Sequence, residues 1–218
     1  SLFNYAAEME SNETYEQAYS AFKRGLYNEA IIHTKNLIRQ EPSHLPARIL
    51  MAEVLLATGK ASSAEVELKI VSKMGADRNR VMLLLAESYI EQAKYNQVLS
   101  DLSLASFDEV ASAKIYVLRG MAHIGLRQLD LAREAFENAL SLNELNFDAK
   151  LGLAQIALNY YKYSEAETIV DEVLATYLPP FKAWLLKANI NQSLGKFQQA
   201  TIAINKAMEV KPGNLEAL

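Results

Sequence analysis

The chain has 218 residues, 50% of them hydrophobic and 22% charged, with a formal net charge of -4. No block of Lys and Arg stands out, which argues against phosphate neutralisation and hence against nucleic-acid binding, and equally against attraction to anionic lipid. With no cysteine, disulfides, thiolate metal sites and a Cys nucleophile are excluded. Gly (8) and Pro (5) are scarce while Leu, Ala, Glu, Lys and Gln dominate, so helices are expected rather than an all-β or nucleotide-binding α/β fold. No apolar run reaches the roughly 18–20 residues of a membrane span.

Read in chain order, small residues recur. Ala18, Ala52, Ala86, Gly120, Ala154 and Ala188 are 34 residues apart, and Ala30, Ala64, Val98, Ala132, Ala166 and Ala200 keep the same spacing. Six uninterrupted periods run from Ser11 to Asn214. Within each period the eighth and twentieth places are small, which lets two helix axes approach closely where they cross. The seventeenth place carries Tyr27, Tyr95, Tyr163 or Phe197, a ring expected to wedge into the hairpin. Pro42 and Pro212 stop a helix near the end of the first and last periods.

The resulting expectation is one helix A and one helix B per period. Helix A falls at about 12–24, 46–58, 80–92, 113–126, 148–160 and 182–194, and helix B at about 28–41, 62–74, 96–106, 130–142, 164–177 and 198–210. Residues 1–10 precede the register, and 215–218 read as the opening of a further, truncated repeat. Ser1 at the start and Leu218 at the end suggest a fragment of a longer chain.

The period and its pattern resemble the tetratricopeptide repeat (TPR) family. The sixth period carries Trp184, Ala188, Gly195, Phe197, Ala200 and Pro212; the first carries Ala18, Gly25, Tyr27, Ala30 and Pro42. Departures lie at the turn, where Ala93, Arg127 and Tyr161 replace glycine, and at the period ends. The resemblance implies an all-α, right-handed superhelical solenoid of antiparallel helix pairs with six repeats, 11–44, 45–78, 79–112, 113–146, 147–180 and 181–214. It also implies a non-enzymatic scaffold for protein–protein interaction.

Six stretches, 30–37, 64–68, 75–81, 98–102, 118–122 and 149–154, resemble in this order the amino-terminal part of the PEP-CTERM system TPR-repeat lipoproteins. That likeness implies a bacterial envelope location, periplasmic and lipid-anchored outside this fragment, in a system joining protein sorting to exopolysaccharide production. A cytoplasmic location is the alternative.

In such repeats helix A lines the concave face, with places two, five, nine, twelve and thirteen turned inward. The candidate partner-binding residues are Tyr15, Tyr19, Phe22, Ile49, Glu53, Leu83, Glu87, Ile90, Val117, Met121, Gln155 and Asn189. Their apolar middle and acidic edge point to an apolar or helical segment of a protein or peptide. Packing between adjacent A helices is the competing use of places five and twelve. A carbohydrate-binding module assisting polysaccharide export is the second functional reading, resting on Tyr15, Tyr19 and Phe22 together. His33, His44 and His123 are scattered, so no metal is expected. One of them, His123, is expected to pack inside its repeat. No phosphate loop or nucleophile motif appears, and no catalytic residue or cofactor is assigned.

Overall fold

The computed structural model describes the backbone of residues 2–102 and 109–210 and the side chains of residues 9–102 and 111–210. The expected end of the third helix B, up to 106, and the opening of a further repeat at 215–218 lie outside the described residues. Within them the chain is an all-α helical repeat fold with twelve helices and no strand.

The chain divides into two compact units, Ser1–Lys94 and Tyr95–Leu218. The first holds α1 (Leu2–Lys23), α2 (Tyr27–Gln40), α3 (Leu45–Ala57), α4 (Ala61–Lys73) and α5 (Arg78–Glu91). In it α1 pairs with α2 and α3 with α4, and α5 packs on α4 and α3. The second unit holds α6 (Tyr95–Asp101), α7 (Glu109–Gly125), α8 (Leu129–Leu142), α9 (Phe147–Asn159), α10 (Tyr163–Leu174), α11 (Phe181–Ser193) and α12 (Phe197–Val210). There α7 pairs with α8, α9 with α10 and α11 with α12, while α9 also touches α7 and α11.

All twelve small residues of the two 34-residue series are buried. A larger side chain at any of them would push two helices apart, because interiors are close-packed. Around these crossings sit Leu50 and Val54 in the first unit, and Val117, Phe136, Ile156, Val170 and Ile190 in the second.

Each hairpin turns in the same way. The fifteenth residue of every period has positive φ: Gly25 (73°), Gly59 (71°), Ala93 (56°), Arg127 (61°), Tyr161 (59°) and Gly195 (71°). At each turn the next residue's N–H donates to a carbonyl five residues back, as Lys60 does to Leu55 and Lys94 to Tyr89, both at 2.8 Å. This is the Schellman closure, which satisfies carbonyls left over at the helix end and needs a left-handed residue. The backbone therefore keeps the turn even where glycine has been replaced.

Some helix starts are fixed by side chains. Asp77 Oδ1 accepts from Arg80 N at 2.7 Å, and Asn146 Oδ1 accepts from Ala149 N at 3.0 Å. His44 Nδ1 accepts from Ala47 N at 3.1 Å, so this imidazole caps α3.

Three helices differ from the bounds read from the period. α1 begins at Leu2, about ten residues before the register, since Ala6, Ala7, Glu8 and Glu10 favour helix and no Gly or Pro interrupts before Gly25. α7 begins at Glu109, earlier than expected, and α10 ends at Leu174, earlier than expected and ahead of Pro179 and Pro180. Phe197 does not wedge: it is 69% exposed, whereas Tyr27, Tyr95 and Tyr163 are half-buried. Tyr95 shows the cause, because its ring lies where a β-carbon on Gly125 of the following A helix would stand. Phe197 belongs to the last described helix, and among the described residues no A helix follows to cover it.

Candidate functional site: grooves on the helix A faces

The face of the second unit formed by α7, α9 and α11 carries a groove of about 390 Å³. Helical spacing builds its walls. Asp148, Leu151, Gly152 and Gln155 on α9, and Lys182, Leu185, Leu186 and Asn189 on α11, each follow i, i+3, i+4, i+7 and so share one helix face. Met121 and Ile124 of α7 close the third side.

The floor is Phe136 of α8, fully buried, which reaches through the layer of A helices because Gly120 and Gly152 offer no side chain in its way. A β-carbon at Gly120 would stand 2.6 Å from the ring, and one at Gly152 would collide with it as well. Burying this ring contributes roughly 2–3 kcal/mol. The groove is apolar along its length and polar at its edges, where Lys182 and Asp148 approach to 3.6 Å. Both are exposed, so this ion pair adds little stability.

The corresponding face of the first unit is aromatic and charged. The Tyr15 and Tyr19 rings stack with centroids 6.3 Å apart and planes 16° from parallel. Lys23 Nζ lies 5.2 Å from the Tyr19 ring centre, and His44 flanks Tyr15 at 5.8 Å. Arg80 Nη2 pairs with Glu53 Oε1 at 2.8 Å. Burial raises the Tyr15 hydroxyl pKa, against the nearby Arg80 charge, which lowers it.

The candidate residues from the sequence thus fall into three sets. Met121, Gln155 and Asn189 come together in the groove of the second unit. Tyr15, Tyr19 and Glu53 lie together in the first, with Phe22 half-buried against Tyr27 at 6.1 Å and Leu83, Glu87 and Ile90 half-buried along α5. Ile49 and Val117 are corrections to the binding-face assignment: at 6% and 5% exposed they pack in the core between helices.

Phe136 and Leu186 escaped sequence reasoning. A signal existed for the first, in two glycines on successive A helices facing one aromatic of the intervening B helix. Among the described residues no three His, Asp or Glu side chains are grouped to hold a metal ion. His123 is half-buried with Nδ1 2.8 Å from Gln128 Oε1, not packed inside its repeat.

Each unit also carries a polar cluster where a B helix meets the next A helix. Glu65, 8% exposed, receives Lys69 at 2.6 Å, Lys94 at 2.7 Å and Gln92 Nε2 at 2.8 Å. The Lys69 and Lys94 hydrogen bonds hold its carboxyl down at about 2. In the second unit Lys187 lies 2.9 Å from Glu167 and 2.7 Å from Asp171, with Lys196 at 3.6 Å from Glu167. The Lys187 hydrogen bond lowers the Glu167 pKa. Burial opposes the Lys187 charge, and its two carboxylate partners outweigh it and raise that pKa.

A family model described as Tetratricopeptide repeat matches residues 15–87 and 123–190, and a second Tetratricopeptide repeat model matches 181–214. The chain belongs to the tetratricopeptide repeat family. Neither model is a catalytic one, and stacked repeats of this kind present extended surfaces for binding protein partners.

The chain is 30% identical over 151 residues, 65% of its length, to human Tetratricopeptide repeat protein 13, and spans 17% of that protein. It is similar in fold to Pseudomonas aeruginosa PilF, at a TM-score of 0.61 and 17% identity, covering 96% of this chain and 95% of that one. It is also similar in fold to PilW, a type IV pilus biogenesis factor, at 0.60 and 15%, covering 94% and 96%. Among the described residues no helix is long and apolar enough to cross a membrane.

Proposed function

We propose that this chain is a non-enzymatic scaffold of six repeats, whose groove on α7, α9 and α11 receives an apolar helical segment of a partner protein. The observation that carries this reading is the groove itself. It is an apolar trough within the size range of ligand sites, edged by Asp148, Lys182, Gln155 and Asn189, which can satisfy polar groups at the ends of a guest. The setting we propose is a bacterial envelope system. It is supported by the six sequence stretches that resemble the PEP-CTERM system lipoproteins, and PilF and PilW are likenesses of fold alone.

The test is affinity capture from bacterial envelope extract, with partners identified by mass spectrometry and binding remeasured with the purified partner. Met121→Glu places a charge in the trough and is expected to weaken that binding by at least about tenfold. Unchanged affinity with Met121→Glu removes the groove from the interface.

A second reading, a carbohydrate-binding surface, is favoured by the stacked Tyr15 and Tyr19 rings beside Lys23, Glu53 and Arg80. A glycan array in which Tyr19→Ala abolishes all hits supports it, and an array without hits removes it.

A further inference from the structure

On the opposite side of the first unit, between α2 and α4 and over α3, lies an open groove of about 590 Å³. Its wall is apolar, built from Ile31, Ile38, Met51, Leu55 and Val66. Three cations stand around it, Lys35, Arg39 and Lys60, on a chain whose net charge is -4. Its single lining carboxylate, Glu67, is taken by Arg48 at 2.8 Å. Among the described residues the ammonium groups of Lys35 and Lys60 have no ion-pair or hydrogen-bond partner, and the Arg39 guanidinium makes only a 3.4 Å contact to Asn36.

The repeat itself shows what is missing. Lys60, Lys94, Lys162 and Lys196 hold the same place in their periods, and one repeat earlier a common place holds Ile31, Glu65, Arg133 and Glu167. Lys162, opposite Arg133, pairs instead with Glu165 of its own repeat at 3.4 Å. Lys94 meets Glu65 at 2.7 Å, and Lys196 meets Glu167 at 3.6 Å. Where the second unit has a groove in this position, of about 340 Å³, Glu167 sits in it between Lys187 and Lys196. In the first unit Ile31 stands where that carboxylate would be. The cation is retained, its acid is replaced by an apolar side chain, and the trough beside it is open.

We propose that this groove docks an acidic amphipathic helix of a partner protein. One carboxylate of the guest takes, beside Lys60, the position that Glu65 takes beside Lys94, and its apolar stripe covers Met51, Leu55 and Ile38. Lys35 and Arg39 meet further acidic residues along the same helix. Charge complementarity of this kind selects the sign of the partner and speeds its encounter. The surface is separate from the groove of the second unit and does not depend on it.

The probe is a fluorescein-labelled helical peptide with leucines at i, i+3, i+4 and i+7 and glutamates elsewhere, beside a copy with lysines for the glutamates. Fluorescence anisotropy is expected to show saturable binding of the acidic peptide only, weakening with added salt. Lys35→Glu/Lys60→Glu is expected to lower the affinity at least about tenfold. Ile31→Glu, which supplies Lys60 with an internal carboxylate and puts a negative charge in the groove, is expected to do the same while keeping wild-type circular dichroism. Met121→Glu should leave the affinity unchanged.

Binding that survives the Lys35/Lys60 and Ile31 changes, or is lost instead with Met121→Glu, overturns the proposal. So does absence of saturable binding to the wild type. Lysine-dependent binding to phosphatidylglycerol vesicles without binding of the peptide would assign the groove to lipid and overturn it as well.

Discussion

Replacing Ala93 by glycine removes a β-carbon from a backbone held at φ 56°, in the left-handed region where that carbon crowds the following carbonyl. The strain is about 1–2 kcal/mol for an alanine. Glycine relieves it, but glycine also has more freedom in the unfolded chain, which offsets about 0.4–1 kcal/mol. A net gain of about 1 kcal/mol remains. Gly59, one period earlier, provides the mirror experiment, because a β-carbon added there meets nothing within 4 Å. Any effect of Gly59→Ala therefore comes from the backbone alone, and a loss of about 1 kcal/mol is expected. Arg127→Gly and Tyr161→Gly should behave as Ala93→Gly does; Tyr161 also gives up an edge contact with Tyr163 at 6.3 Å, so its gain is smaller. Urea denaturation followed by circular dichroism measures each variant. A gain of 1 kcal/mol corresponds to roughly 2–4 °C in Tm for a chain of this size. If Ala93→Gly lowers the midpoint, or Gly59→Ala leaves it unmoved, left-handed strain does not govern these turns.

Gly152→Ala is expected to cost about 1–3 kcal/mol, because the new methyl lands on the buried Phe136 ring. Combining it with Phe136→Leu should recover part of that loss, and a double-mutant cycle in urea melts reads the coupling; strict additivity would mean the two do not touch. Acid should weaken the α4–α5 junction through Glu65. Its folded pKa of about 2 lies below the ordinary value of 4.5, so its contribution is complete above pH 4.5 and is lost as pH falls from there toward 2. The full shift corresponds to at most about 3 kcal/mol, less after allowing for the partial exposure of Lys69 and Lys94. Glu65→Gln should flatten stability across that window in pH-dependent melts, and an unchanged profile would assign the acid sensitivity to other carboxylates.

The 34-residue recurrence of small residues by itself determines the helix pairs. The physical reason is local: a crossing of two helices admits only a small side chain, and all twelve such positions are buried. The turn was equally legible, since its hydrogen-bond closure demands a left-handed residue, and Ala93, Arg127 and Tyr161 obey it against their own preference. The same periodicity could name the residues on the helix A face, but not which of them are spent on packing. Ile49 and Val117 are taken by neighbouring helices, while Met121, Gln155 and Asn189 border open space. That difference is decided by the partner on the next helix, which local sequence does not contain. The floor of the second-unit groove is the clearest case, because Phe136 reaches it only where Gly120 and Gly152, from two different helices, are both missing a side chain. Likewise the period places a lysine at 60, 94, 162 and 196 alike, and the residue one repeat earlier differs in the sequence itself, but only the tertiary structure shows that Glu65 and Glu167 reach their lysines while Lys60 borders an open groove.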